Sequence, residues 1–188
     1  MTVFKSLFSF IVLWLAVVPA AFSQSGMTAV VDNIELANMF AEDQAIRHEI
    51  DERGGWVKVK DDKAFLVRWQ AEDAERLART QKLLEAGALK SGLDFYRAAF
   101  IFQHGQRPED YLKAHHLAVI AVSKGYDARW ISAATLDRYL LATGKNQIYG
   151  TQFRSNERDE DVREPVELGI VSDAERTELK VPALADEE

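Results

Sequence analysis

Between Ala29 and Gly144 apolar residues recur at helical spacing, and run after run stops at a glycine: Gly54-Gly55, Gly87, Gly125 and Gly144. Glycine suits the end of a 3.6-residue pattern because it enters the left-handed conformation of a helix C-terminus without steric cost. Such punctuation restricts the chain to a mainly α fold. We expect a compact helical bundle or helical-hairpin body of the Sel1 or tetratricopeptide kind, with a short extended segment or small β element. One helical pair is fewer than the three repeats a solenoid needs.

The pattern sets the expected elements. Leu36, Phe40, Asp43, Arg47 and Ile50 fall on one stripe of a helix from about Ala29 to Arg53. Glu72 to Glu85 forms a second helix, with Ala74, Leu77, Ala78 and Leu84 on its apolar side. Leu93 to Gln103 carries Phe95, Ala98, Ala99 and Phe102 on one face. Pro108 suits the first turn of the next helix, whose inner face is read as Tyr111, His115, Ala118 and Val122. Asp127 then caps a helix presenting Trp130, Ala133, Ala134, Asp137 and Leu141. Trp56 to Lys60 alternates apolar and charged residues, so it reads either as one arm of a hairpin turning at Asp61-Asp62 or as a connection into a helix starting near Lys63. Gln147 to Phe153 reads as a short strand or extended segment. Ser155 to Glu164, dense in charge, reads as a solvated loop, and Pro165 to Leu184 as a segment folding back onto the body.

The first residues have the layout of a secretory signal: Lys5, an apolar stretch from Leu7 to Val18, Pro19, and small residues around Ala21-Phe22-Ser23. The apolar stretch is shorter than the roughly 20 residues a bilayer span requires. We expect residues 1–23 to be cleaved, 24–28 to form a flexible lead, 29–184 to fold as a single domain, and 185–188 to be a disordered acidic tail. The alternative is an uncleaved N-terminal anchor. Export places the mature chain in the periplasm or the medium. With no cysteine, no disulfide is available there, so packing alone must hold the fold. Cleavage removes Lys5 and leaves 22 basic against 30 acidic residues, a net charge of −8. That balance disfavours nucleic acid and anionic lipid as partners, and no second apolar segment is long enough to enter a membrane after cleavage.

Function is sought among polar residues on apolar faces. Asp137 is aimed inward, and a buried carboxylate must be paired, hydrogen-bonded or neutral. Arg47, His104 and His115 are the available bases; backbone bonding as a structural anchor is the alternative. Asp43 and Arg47 are spaced i, i+4 in the favourable order. His115 and His116 point to different sides of a helix, and no HxH or HExxH spacing is present, so no metal site or cofactor is expected. A serine nucleophile motif, a phosphate-binding glycine loop and a CxxC are also missing. Gln147-Ile148-Tyr149-Gly150-Thr151-Gln152-Phe153 offers neutral hydrogen-bonding groups that suit a polar pocket, with Gln147, Tyr149 and Thr151 on one side if it is a strand.

Asp43-Gln44 with Arg47, Asp94-Phe95-Tyr96 with Ala98-Ala99, Phe102-Gln103-His104-Gly105, Ala114-His115, Leu136-Asp137-Arg138 and Gln147 to Phe153 together resemble a bacterial family catalogued as domain of unknown function 6624. Ser172 to Arg176 and Val181-Pro182 are similar to its closing segment, so the likeness covers nearly the whole mature chain. The resemblance implies a helical domain with these hallmark polar residues, and it implies no activity.

Three functions remain open. The leading one is an exported binding or interaction module for an unidentified small molecule or protein, with Asp43, Arg47, Gln103, His104, His115, Asp137, Arg138, Gln147, Tyr149 and Gln152 around its ligand. The second is an acid/base enzyme, hydrolase-like, using His104 or His115 oriented by Asp137, with Arg47 or Arg138 holding an anionic substrate. In the third, the polar cluster is purely structural.

Overall fold

The computed structural model describes residues 30–156 and 160–184. The expected signal peptide, flexible lead and acidic tail lie outside these residues. Among the described residues there are seven helices and one two-stranded sheet, a mainly helical body with a small β element. No helix among them is long and apolar enough to cross a membrane.

Helix α1 spans Ile34–Glu52 and starts later than the periodicity predicts. Asn33 sets the start: its side chain accepts the Leu36 N–H at 2.9 Å, and its own N–H is held by Asp94 at 2.8 Å. After Gly54-Gly55 comes α2, Trp56–Val59, a single helical turn where a hairpin arm had been one expectation. The helical i, i+3 spacing of Trp56 and Val59 wins over the alternation, because Val59 is fully buried and Trp56 meets Trp69 edge-on at 6.0 Å. Asp62 caps α3, Lys63–Glu85, by accepting the Phe65 N–H, so the start near Lys63 is the correct reading and the segment from Glu72 is only its second half.

Helices α4 (Gly92–Phe102), α5 (Pro108–Ser123) and α6 (Arg129–Ala142) follow with short connections. Ser91 and Asp94 cap α4 reciprocally, each side chain accepting the other's backbone N–H. The three helices pack in succession, α4 on α5 and α5 on α6, while α1 and α3 lean on α4. Alanines permit this closeness: Ala98, Ala99, Ala114, Ala118 and Ala121 have no exposed surface and sit between Leu36, Ile101, Leu117 and Ile131. A second apolar cluster, Ile46, Ile50, Val59 and Phe65, joins α1 to the α2–α3 corner.

The buried side of α5 is rotated from the expected one. Ala114, Leu117, Ala118 and Ala121 point inward, and Val122 is exposed. Trp130 is likewise exposed on α6, while Ala133, Ala134 and Asp137 are buried. Asp127 does not cap α6, whose N-cap is Ala128; its carboxylate pairs instead with Arg129 and Lys180.

The chain then leaves α6 in a loop, not a strand: Gln147 makes one parallel bridge with Val166, and no ladder extends from it. A small sheet, β1 (Phe153–Ser155) antiparallel to β2 (Asp161–Arg163) with Phe153 opposite Arg163, begins just before the segment expected as a solvated loop and takes up part of it. The closing segment folds back as expected and ends in α7, Asp173–Glu178, capped reciprocally by Ser172 and Glu175. Val181 is buried behind it.

Candidate functional site

The polar residues singled out from the sequence separate into two groups with different chemistry. The first gathers around Asp137. This carboxylate is fully buried and takes four donors: Oδ1 accepts the N–H groups of Ile148 at 2.8 Å and Tyr149 at 3.0 Å, and Oδ2 accepts the Thr151 N–H at 3.0 Å and hydroxyl at 2.8 Å. Gathering near-successive N–H groups onto one carboxylate requires a tight loop, which is why the 147–153 alternation does not become a strand. Gly150 makes the loop possible. Its φ is +82°, and a Cβ there would lie 2.7 Å from Leu184 Cδ2.

The carbonyls of the same loop are taken from the other side by Arg176, which donates to Tyr149 O at 3.1 Å and Ile148 O at 3.0 Å, as well as to Val171 O and Asp173. Gln147, fully buried, donates to Gln152 O and Glu164 O and accepts the Gln152 N–H. The loop's polar groups are therefore spent on one another. Of the readings of Asp137, this geometry is the backbone anchor: its four bonds reach neither histidine, so Asp137 orients no catalytic base. Tyr149 contributes its backbone to the clamp, and burial raises its phenol above the usual tyrosine value.

His115 belongs to neither group. Its Nδ1 lies 2.8 Å from the carbonyl of Ser132, tying α5 to α6.

The second group is the Asp43–His104 pair. Asp43 is buried on α1, and its Oδ1 lies 2.9 Å from Nδ1 of His104, which follows the C-terminal turn of α4. A carboxylate can only accept, so Nδ1 carries the hydrogen and Nε2 of the neutral ring is the lone-pair nitrogen. Nε2 has no hydrogen-bond partner among the described residues. The other carboxylate oxygen accepts from Gln44 at 2.8 Å. Arg47 lies 3.1 Å from Asp43 Oδ1 and forks onto Asp73 at 2.9 and 2.8 Å. Arg76, buried on α3, donates to Asp73 at 2.6 Å. One further acid, Asp73, and two arginines thus brace the acid that holds the histidine. Burial is the larger influence on His104 and lowers its pKa; the bond to Asp43 opposes it, and the charge of Arg47 adds to the lowering. The ring is therefore neutral near pH 7.

His104 lines a cleft of about 370 Å³ between α3 and the α4–α5 turn, within the roughly 300–1,000 Å³ of small-molecule sites. Ala74 and Leu77 give it apolar surface, and Gln70, Gln106 and Asp73 give it polar surface. The turn is fixed by Asp110, which accepts from the backbone and guanidinium of Arg107. Gly105 lets Asp110 sit there, because a Cβ at Gly105 would come within 2.4 Å of it. A larger trough of about 610 Å³ lies between α1 and α3, but it is lined mainly by ion-paired surface charges such as Glu49–Arg68 and Glu35–Arg79. Lacking a histidine or other reactive group, it is the weaker candidate.

Arg138 stands between the two groups. It donates to Gln152 Oε1 at 3.2 Å and to the carbonyl of Gln103 at 3.0 Å. Asp43, Arg47 and His104 are thus brought together, with Arg138 reaching the Gln103 carbonyl, whereas Asp137, Gln147 and Gln152 form the loop clamp. Asp73 and Arg76 are not singled out in the sequence, and Arg176 appears there only within the closing segment of the resemblance. An i, i+3 acid–base pair such as Asp73–Arg76 is an ordinary surface signal, and only the packing of α3 against α1 turns it inward. Among the described residues, no group of three or more histidines and acids is arranged to hold a metal ion.

No family model, no curated protein and no solved structure matches the chain.

Proposed function

We propose that the chain is a binding domain that takes a small ligand in the cleft over His104, through a hydrogen bond from the ligand to Nε2. The observation that carries this reading is the Asp43–His104 bond, which leaves Nε2 unbonded on a histidine that lines a cleft. A histidine fixed in this tautomer by a buried acid selects a ligand donor, a hydroxyl or an amine N–H. Asp43, Arg47 and His104 are also among the residues that carry the resemblance to domain of unknown function 6624, which supports a shared pocket there. The signal-like N-terminus supports an exported, periplasmic or secreted, location.

A second reading is favoured by the same pair. Nε2 of a neutral, acid-oriented histidine is a general base in waiting, able to take a proton from a bound hydroxyl or water. In that case Asp43 is the orienting acid, in the role first expected of Asp137.

Thermal melts of the full chain against a panel of hydroxylated and amino metabolites test the proposal. A compound that raises the wild-type midpoint, and fails to do so for His104→Gln and Asp43→Asn, supports the site. A compound that stabilises wild type and His104→Gln equally would remove His104 from ligand binding. Turnover of the bound compound, lost in His104→Gln, would favour the enzyme reading.

A further inference from the structure

Buried or half-buried arginines in this fold come with an acid. Arg47 and Arg76 face Asp43 and Asp73, and Arg176 faces Asp173. This is the usual arrangement, since removing an unpaired charge from water is costly. Arg138 has no such acid among the described residues. It is half-buried on α6, its Nε and Nη1 are used on two neutral oxygens, and no carboxylate lies within ion-pair distance of it among the described residues. Nη2 donates to no acceptor among the described residues. The face of Tyr111 lies 5.8 Å from the guanidinium carbon, and the Tyr111 hydroxyl has no hydrogen-bond partner among the described residues. Burial is the main influence on Arg138 and lowers its pKa; Tyr111 opposes this, and Arg47 adds to the lowering.

We propose that Arg138 and the hydroxyl of Tyr111 form an anion-binding site that takes a small oxyanion group, a carboxylate or a phosphate. The guanidinium is held at two of its nitrogens by Gln152 Oε1 and Gln103 O, so little freedom is lost when an anion meets the third. Partial burial strengthens the attraction relative to open water. The oxyanion takes the place of the acid that the other arginines named above have. Neither Arg138 nor Tyr111 lines the cleft over His104, so this site stands or falls independently of that one.

The test is a titration of the full chain with inorganic phosphate and, separately, with acetate. Ionic strength is held constant with chloride, and shifts are followed by NMR at the Nε–Hε group of Arg138 in the wild type and at the backbone amides of Tyr111 and Gln152 in every chain. A saturable shift is expected with at least one of the two, and which one distinguishes a phosphate from a carboxylate site. Affinity should fall at least tenfold in Arg138→Gln and several-fold in Tyr111→Phe, and stay unchanged in His104→Gln. The absence of a saturable shift with both anions in the wild type would overturn the proposal, whatever the variants do. So would an unchanged affinity in a folded Arg138→Gln chain.

Discussion

Replacing Asp137 by alanine strips the 147–152 loop of its common acceptor. Three backbone N–H groups and one hydroxyl then lose their partner together. A buried donor left unsatisfied costs about 1–3 kcal/mol. Part of the loop relaxes toward water, so the total should sit near the low end of that sum, about 3–5 kcal/mol. For a domain whose whole stability is typically about 5–15 kcal/mol, that is a large fraction. Asp137→Asn keeps the Oδ1 acceptor for Ile148 and Tyr149 but sets an amide NH2 against the Thr151 donors, and should cost about 2–3 kcal/mol. Urea denaturation of both variants gives the loss, and amide hydrogen exchange locates it. The amides of Ile148, Tyr149 and Thr151 should exchange much faster, while core amides such as Leu117 respond only to the global loss. An Asp137→Ala chain within about 1 kcal/mol of wild type, or one in which those three amides stay protected, would refute the anchor.

Further outcomes follow from the same geometry. Arg176→Met should detach α7 from the loop by freeing the carbonyls of Ile148 and Tyr149. Early proteolytic cleavage after Val171 and a loss of about 3–5 kcal/mol would show it. Gly105→Ala forces a methyl into the Asp110 side chain and should cost about 1–3 kcal/mol, measured by thermal melting. The depressed pKa of His104 gives a pH dependence of known sign. As pH falls below the ordinary histidine value of 6.5, the unfolded chain takes a proton that the folded chain resists, so stability declines until the folded pKa is passed. His104→Gln should remove that part of the decline, as comparison of denaturation midpoints between pH 7 and pH 5 will show.

Much of this fold is legible in the sequence because helix period, caps and glycine stops act locally. Pro108 and the glycine stops mark their helices without reference to anything distant. What sequence leaves open is decided by partners far along the chain. Trp56 to Lys60 alternates like a strand, but the burial of Val59 and the packing of Trp56 on Trp69 make it a helical turn. Gln147 to Phe153 also alternates, yet Asp137 and Arg176 gather its backbone into a loop. The polar residues were identifiable as a set from their place on apolar stripes. Their pairing was not, because His104 finds its acid 61 positions away on α1, while Asp137 prefers backbone donors to either histidine. On α5 a small rotation changes which face is inward, because close packing of alanines draws Ala114 and Ala121 to the neighbours and turns Val122 out.

The central claim is that Asp43 fixes His104 as a neutral ring with its hydrogen on Nδ1 and its lone pair on Nε2. Long-range 1H–15N NMR of the histidine rings near pH 7 tests it directly. An Nδ1–H tautomer is expected for His104, titrating below the ordinary histidine value, with a changed ring spectrum in Asp43→Asn. An Nε2–H tautomer, or a His104 that is already protonated at pH 7, would contradict it.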